Sequence, residues 1–321
     1  MTEKTEHTQV AIIGAGPGGY AAAFHANDLG LDVTLIDPKE NPGGVCLYHG
    51  CIPTKALLHF ASIKEEAFRA REWGLEFSNV TVDVRKVRKW KEKVVKQLTG
   101  GLGQLSKRRK IKYVQGTALF KDKNTLEIDE QDGGKKNLKF EKALIATGAR
   151  ANELPGVDFD HERIMSAKSA LELKDAPSEL LVVGAGYIGL EMSVIYKALG
   201  SHVTLVELTK DIMPGIDKDL KDTFKKERKD LLDNALFETK VKEVKKNKKK
   251  LKVKLENKDG KSSEREFDKM LIAIGEKPNS ENIGLDKAGV ETDDQGFIKV
   301  DIVRKTKVEN IYAIGDVAGQ P

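Results

Sequence analysis

One unit of sequence occurs twice, and the repeat narrows the fold more than any other feature. Val10-Ala11-Ile12-Ile13 reads as a short buried strand leading into Gly14-Ala15-Gly16-Pro17-Gly18-Gly19. A helical stretch over 20–29 follows, and after Gly30 comes Val33-Thr34-Leu35-Ile36, ending in Asp37. At an offset of 170 residues, Leu180-Leu181-Val182-Val183 leads into Gly184-Ala185-Gly186-Tyr187-Ile188-Gly189 and a helix to Leu199-Gly200, then Val203-Thr204-Leu205-Val206 and Glu207. In each copy the first glycine (Gly14, Gly184) permits a tight turn, and the second (Gly16, Gly186) lets backbone approach a pyrophosphate. The third (Gly19, Gly189) lets the helix pack on the strand. The helix N-terminus offers amide donors and partial positive charge. Asp37 and Glu207, each 18 residues past the third glycine, can accept hydrogen bonds from a ribose diol. A single glycine pattern is weak evidence. Two in register, each with strand, helix and terminal acid, predict an α/β protein with two Rossmann-like dinucleotide-binding domains. A carboxylate at Glu207 would repel a 2′-phosphate and accept from a free 2′-hydroxyl, so the second site is expected to prefer NAD(H) to NADP(H).

The stretches after each copy complete the fold class. Residues 124–129 and 137–145 read as strands joined by a turn at Asp132-Gly133-Gly134, and 238–274 as alternating strands with turns near Asn247 and Asp259-Gly260. Each domain is therefore expected to carry an antiparallel β-meander insertion. Residues 52–73 read as a long helix with Pro53 in its first turn, where proline is tolerated. A second helix, from 84 to about 105, is basic on its outer face, and a last strand over 310–314 runs into Gly315-Asp316. Nine lysines fall between Lys240 and Lys254, but Leu251, Val253 and Leu255 alternate with them as in a hairpin with one solvated face. With a net charge of only +5, nucleic acid is not an expected partner. At 321 residues, 39% apolar and 33% charged, the chain suits two globular domains. The polar start over 1–9 lacks the apolar core of a signal peptide, and no apolar run approaches membrane-spanning length. The expected location is the cytoplasm or, in a eukaryote, the mature mitochondrial matrix.

The chain has two cysteines, set together in Cys46-Leu47-Tyr48-His49-Gly50-Cys51. In a reducing compartment such a pair is more often catalytic or redox-sensing than a structural staple. A four-residue spacer lets the sulfurs meet, and the dipoles of a helix starting beside Cys51 would lower a thiol pKa, as reversible disulfide exchange needs. Spacing alone leaves open which sulfur does what. An imidazolium at His49 could stabilise a neighbouring thiolate, but an exposed spacer is the simpler reading. Two thiols and one imidazole fall short of a four-ligand zinc site, so no metal is expected.

The glycine and cysteine segments occur in a recognisable order together with Lys55-Ala56-Leu57-Leu58, Ala146-Thr147-Gly148, 184–191 and Ile314-Gly315-Asp316-Val317-Ala318-Gly319. In these the chain resembles the FAD-dependent disulfide-reductase flavoproteins, and most closely the dihydrolipoamide dehydrogenases among them. The resemblance implies FAD in the first unit, with Asp37 on the adenosine ribose, Gly116-Thr117-Ala118 near the adenine and Asp316 on the ribitol. Thr147, Gly148 and Gly275 are counted with the cofactor sites, and the second unit becomes an NAD domain. The implied boundaries are 1–150 for the first part of the FAD domain, 151–280 for the NAD domain and 281–321 for the second part of the FAD domain. Cys51 becomes the thiol against the flavin and Cys46 the outer interchange thiol, while Lys55 and Glu191 form an ion pair beside the ring. Tyr187 matches a ring that covers the empty nicotinamide pocket in some relatives, with plain packing an equal alternative. The implied partner is the lipoyl domain of a 2-oxoacid dehydrogenase complex, and intact relatives are homodimers.

Two departures stand out. Gly275-Glu276-Lys277-Pro278-Asn279 replaces the family's common Gly-Arg-x-Pro-Asn, which sets a negative charge near the NAD site and is expected to weaken NAD binding. Relatives also continue into a dimerisation domain with a catalytic His-Glu pair, whereas this sequence stops at Pro321. The chain is therefore expected to lack that domain and to keep at most NADH–flavin, diaphorase-like chemistry, with its oligomeric state open. Mercuric reductase or another disulfide reductase, and a non-catalytic nucleotide-binding scaffold, are the competing readings.

Overall fold

The computed structural model describes residues 5–319; the first four residues of the polar start and the last two of the chain lie outside them. The chain divides into two compact units, one formed by 5–48, 95–150 and 276–319 and the other by 49–94 and 151–275. The segment 49–94, which the sequence reading leaves in the first domain, groups with the second unit. Its helix Cys51–Arg69 packs along the helix Tyr187–Leu199, and Leu57, fully buried, joins the core of Leu180, Leu190 and Ile195. Where one helix to 73 is expected, the α-helix stops at Arg69 and tightens to a 3-10 turn over Ala70–Trp73, closed by Gly74 at φ +84°.

In the first unit Lys112–Asp122, Val33–Asp37, Thr5–Ile13, Lys135–Ile145 and Ile311–Ala313 stand side by side with parallel pairing. Val33–Asp37 is buried at every position, as a parallel strand covered on both faces should be. Lys112–Asp122 runs parallel to its neighbour as far as Gln115, then enters an antiparallel ladder with Thr125–Glu130, which pairs in turn with Lys135–Ile145. Phe120, Leu126, Ile128 and Leu138 line the buried face of this meander, each at 0% exposure.

The second unit repeats the scheme. Ala235–Leu236, His202–Val206, Glu179–Val183, Lys269–Ile272 and Ile164–Met165 form a parallel sheet in that order. Thr239–Lys246, Leu251–Asn257 and Ser262–Phe267 form the second antiparallel meander. Leu251, Val253 and Leu255 are buried, while Lys240 pairs with Glu256, Lys250 with Asp268 and Lys246 with Asp160 on the outer side. The lysine run is thus the solvated face of a hairpin, paired with carboxylates of the meander and of neighbouring segments.

In both sheets the first strand of the repeat has its second strand on one side and, on the other, the strand that ends the meander (Lys135–Ile145) or follows it (Lys269–Ile272). The chain therefore leaves that strand in one direction and returns on the opposite side. The carboxyl end of such a strand opens a crevice where α/β sheets take ligands, and each glycine loop emerges there.

Candidate functional site

The two glycine loops agree bond by bond. Gly14 N donates to Ile36 O and Gly184 N to Val206 O, each at 2.8 Å; Ala146 N donates to Ile13 O and Ala273 N to Val183 O, again at 2.8 Å. The terminal acids behave alike as well. Asp37 accepts from Ala15 N at 2.8 Å and Lys39 N at 2.9 Å, one amide per oxygen. Glu207 accepts from Ala185 N at 2.7 Å and Thr209 N at 2.8 Å in the same manner. Both residues are only 8% exposed. Each carboxylate is thereby clamped to its own loop, with a further lone pair per oxygen still able to accept a ribose hydroxyl.

The glycines separate by physical reason. A Cβ at Gly14 would stand 2.3 Å from Ala146 O, and one at Gly184 2.3 Å from Ala273 O, with φ of +97° and +104°. A Cβ at Gly19 would come within 1.8 Å of Gly14 O, and one at Gly189 within 1.9 Å of Gly184 O. Turn and helix packing therefore account for these four. The middle glycines differ: a Cβ at Gly186 would meet nothing within 4 Å, and one at Gly16 only Gly44 Cα at 3.9 Å. Packing does not demand their bareness. Gly16 and Gly186 are also the N-caps of Pro17–Asp28 and Tyr187–Leu199, and neither helix has a side-chain cap. Their first-turn amides are available to an anion.

The cysteines straddle a helix break. Cys46 is half-buried on the short helix Gly44–His49, and Cys51 is exposed as the first residue of Cys51–Arg69, with Gly50 at φ −137°, ψ −115° between them. Gly44, at φ +58°, lies so close to the first glycine loop that a Cβ would stand 2.4 Å from Gly16 Cα. Cys46 is thereby carried against the first candidate cofactor loop. Burial and then the Cys46 charge push up the phenol of Tyr20, the residue that follows Gly19. His49 is half-buried rather than the exposed spacer expected.

A family model described as pyridine nucleotide-disulphide oxidoreductase matches residues 8–321. The chain belongs to that family. The dihydrolipoyl dehydrogenase of Vibrio cholerae serotype O1 is 44% identical to it over 313 residues, covering 98% of this chain and 66% of that relative. That of Haemophilus influenzae is 45% identical over 314 residues, covering 98% and 65%, and that of Haloferax volcanii 42% over 313 residues, covering 97% and 65%. The chain thus spans slightly under two thirds of the length of these curated relatives. Among the described residues no helix is long and apolar enough to cross a membrane.

Other residues singled out from the sequence fall as follows. Lys55 Nζ meets Glu191 Oε1 at 2.7 Å, with the side chains 63% and 23% exposed. Tyr187 is 65% exposed at the first position of its helix, so the core does not hold its ring. A Cβ at Gly116 would stand 2.4 Å from Asp129 O, so meander packing alone requires that glycine, and Ala118 is buried in the core. Gly148 and Gly275 take left-handed φ of +69° and +109°. Asp316 is exposed on the turn Gly315–Ala318. Glu276 is the first residue of the stretch that groups with the first unit, next to Gly275 of the second. Sequence reasoning passed over Arg150 and quoted Asn279 only as the end of its motif, with no role. Thr147 Oγ1 donates to Asn279 O at 2.7 Å, and Asn279 Nδ2 donates to Thr147 O at 3.0 Å. Arg150 donates to Pro278 O at 2.9 Å and Asn279 Oδ1 at 3.0 Å, and pairs with Glu281. Only their places beside Gly148 and Pro278 could have drawn notice to them.

Proposed function

We propose that the chain carries the FAD- and NAD-binding chemistry of a dihydrolipoyl dehydrogenase, oxidising dihydrolipoamide with NAD⁺ through a Cys46–Cys51 disulfide. The observation that carries this reading is the pair of middle glycines, Gly16 and Gly186, which packing leaves unexplained beside uncapped helix amides. Such a cradle fits a dinucleotide pyrophosphate in each unit. In the first, FAD would lie along Gly14, Gly16 and Gly19 with its adenosine ribose on Asp37, near Gly116, Ala118, Thr147 and Gly148, and its ribitol on Asp316. In the second, NAD would lie along Gly184, Gly186 and Gly189 near Gly275, with its ribose on Glu207. Tyr187 would cover the nicotinamide pocket. The FAD domain would then be the unit of 5–48, 95–150 and 276–319, and the NAD domain the unit of 151–275 with 49–94.

A substrate thiolate attacks Cys46 Sγ, breaking the disulfide and releasing Cys51 as a thiolate that the amides of its own helix stabilise. The second substrate thiol then closes the substrate disulfide and releases Cys46 as a thiol. Bound FAD supplies the two-electron relay from the dithiol to NAD⁺. Lys55, held by Glu191, would place its charge beside the flavin. The natural substrates are lipoyl groups on domains of 2-oxoacid dehydrogenase complexes, and the setting is the cytoplasm or the mitochondrial matrix.

Anaerobic NADH titration of the FAD-loaded protein tests the reading. Long-wavelength thiolate-to-flavin absorbance is expected on two-electron reduction and should vanish in Cys51→Ser. A folded protein that takes up no FAD would leave only a scaffold, and a band surviving in Cys51→Ser would overturn the sulfur assignment.

A further inference from the structure

We propose that Glu276 works against cofactor binding in the first unit: ionised, it weakens the hold on an anionic dinucleotide. The proposal rests on the reading that this unit takes FAD with Asp316 at its ribitol. Glu276 opens the strand Glu276–Pro278, which lies against the turn Gly315–Ala318 that carries Asp316. Both carboxylates keep solvent contact. Crowding around the Glu276 carboxyl, and then the Asp316 charge, raise its pKa.

Two cations belong to this strand pair, Arg150 and Lys277. Arg150, on the strand paired with Glu276–Pro278, is spent on Pro278 O, Asn279 Oδ1 and the Glu281 carboxylate. Lys277, next along the strand, lines a cleft of about 350 Å³ with Ser280, Glu281 and Asp286. Alternation along a strand sends neighbouring side chains to opposite faces, so Lys277 does not share the Glu276 face. The Asp316 neighbourhood thus carries two like charges. A dinucleotide pyrophosphate is itself a dianion, and like charges at an exposed site repel in a salt-dependent way.

The test measures FAD affinity of the flavin-free protein by flavin fluorescence, with NADH affinity alongside, in wild type, Glu276→Gln and Asp316→Asn. Glu276→Gln should tighten FAD binding about 3- to 10-fold at neutral pH and low salt, the scale of one screened charge contact. The gain should shrink at high salt, and also as pH falls and the native carboxyl takes up its proton. NADH affinity should not move. Equal FAD affinity in wild type and Glu276→Gln at neutral pH overturns the proposal, as does a change confined to NADH. Asp316→Asn separates this from the parent reading. Weakened FAD binding there, with no Glu276 effect, sinks the present proposal alone. Undiminished FAD binding in Asp316→Asn removes the ribitol assignment and the proposal with it.

Discussion

A side chain added at Gly186 and one added at Gly189 meet opposite fates. At Gly186 a Cβ finds open space, and the residue holds φ −71°, ψ 176°, which alanine adopts freely. Gly186→Ala should therefore change stability by less than about 1 kcal/mol, the cost of a weaker N-cap, while removing NADH binding. Gly189→Ala forces a Cβ to 1.9 Å from Gly184 O and should cost about 1–3 kcal/mol through displacement of the helix. Urea unfolding beside NADH titration separates the two; a Gly186→Ala protein that still binds NADH normally would show the bare position to be incidental. Both glycines, with Asp37 and Glu207, were legible in sequence because each unit encodes its site within a few dozen residues. The pairing of Lys55 with Glu191 was not legible from local pattern, since 136 residues separate them and only the family resemblance suggested it. At 63% and 23% exposure that pair adds at most about 1 kcal/mol to stability.

Strands and turns show the same division between local and distant information. Leu251, Val253 and Leu255 declare their hairpin by period-2 alternation, and the lysines between them need no partner outside the fold. Lys112–Asp122 declares nothing of the kind. It is parallel to one neighbour and antiparallel to another, and side-chain pattern is silent on strand direction. The turn before Ile164–Met165 was also unmarked. Asp160 Oδ1 there accepts from Glu162 N at 2.9 Å and from Arg163 N and Ile164 N at 2.7 Å each, while Oδ2 pairs with Lys246 at 2.8 Å. Burial alone would raise this carboxyl, but Lys246 and the three amides outweigh it and hold it well below the usual range. Asp160→Ala strands those amides and should cost about 1–3 kcal/mol. Because the folded pKa is depressed, the carboxylate's contribution is full above its unfolded pKa near 4 and fades as pH falls below it. Wild type should thus lose stability relative to Asp160→Ala on acidification. Parallel pH profiles of the two proteins would show that the charge at Asp160 contributes nothing.

At the scale of the molecule, two units built on one plan each hold a complete glycine loop and a clamped acid. The first is assembled from three stretches of chain and the second from two, so neither is a simple sequence segment. That interleaving escaped the sequence reading at 49–94. The apolar face of Cys51–Arg69 is visible in the sequence, but not that its partner would be Tyr187–Leu199. A ligand that binds only the folded state at 100 times its Kd stabilises by about 2.7 kcal/mol. FAD and NAD at such excess should each raise the melting temperature, and the pair should raise it further. Gly186→Ala sharpens the test, since it alters only the second cradle and leaves the first intact. In that variant the FAD shift should persist and the NAD shift vanish, as read by circular dichroism melts. If Gly186→Ala abolished both shifts, the two cradles would not be separate sites, and the duplicated unit would have to serve one ligand.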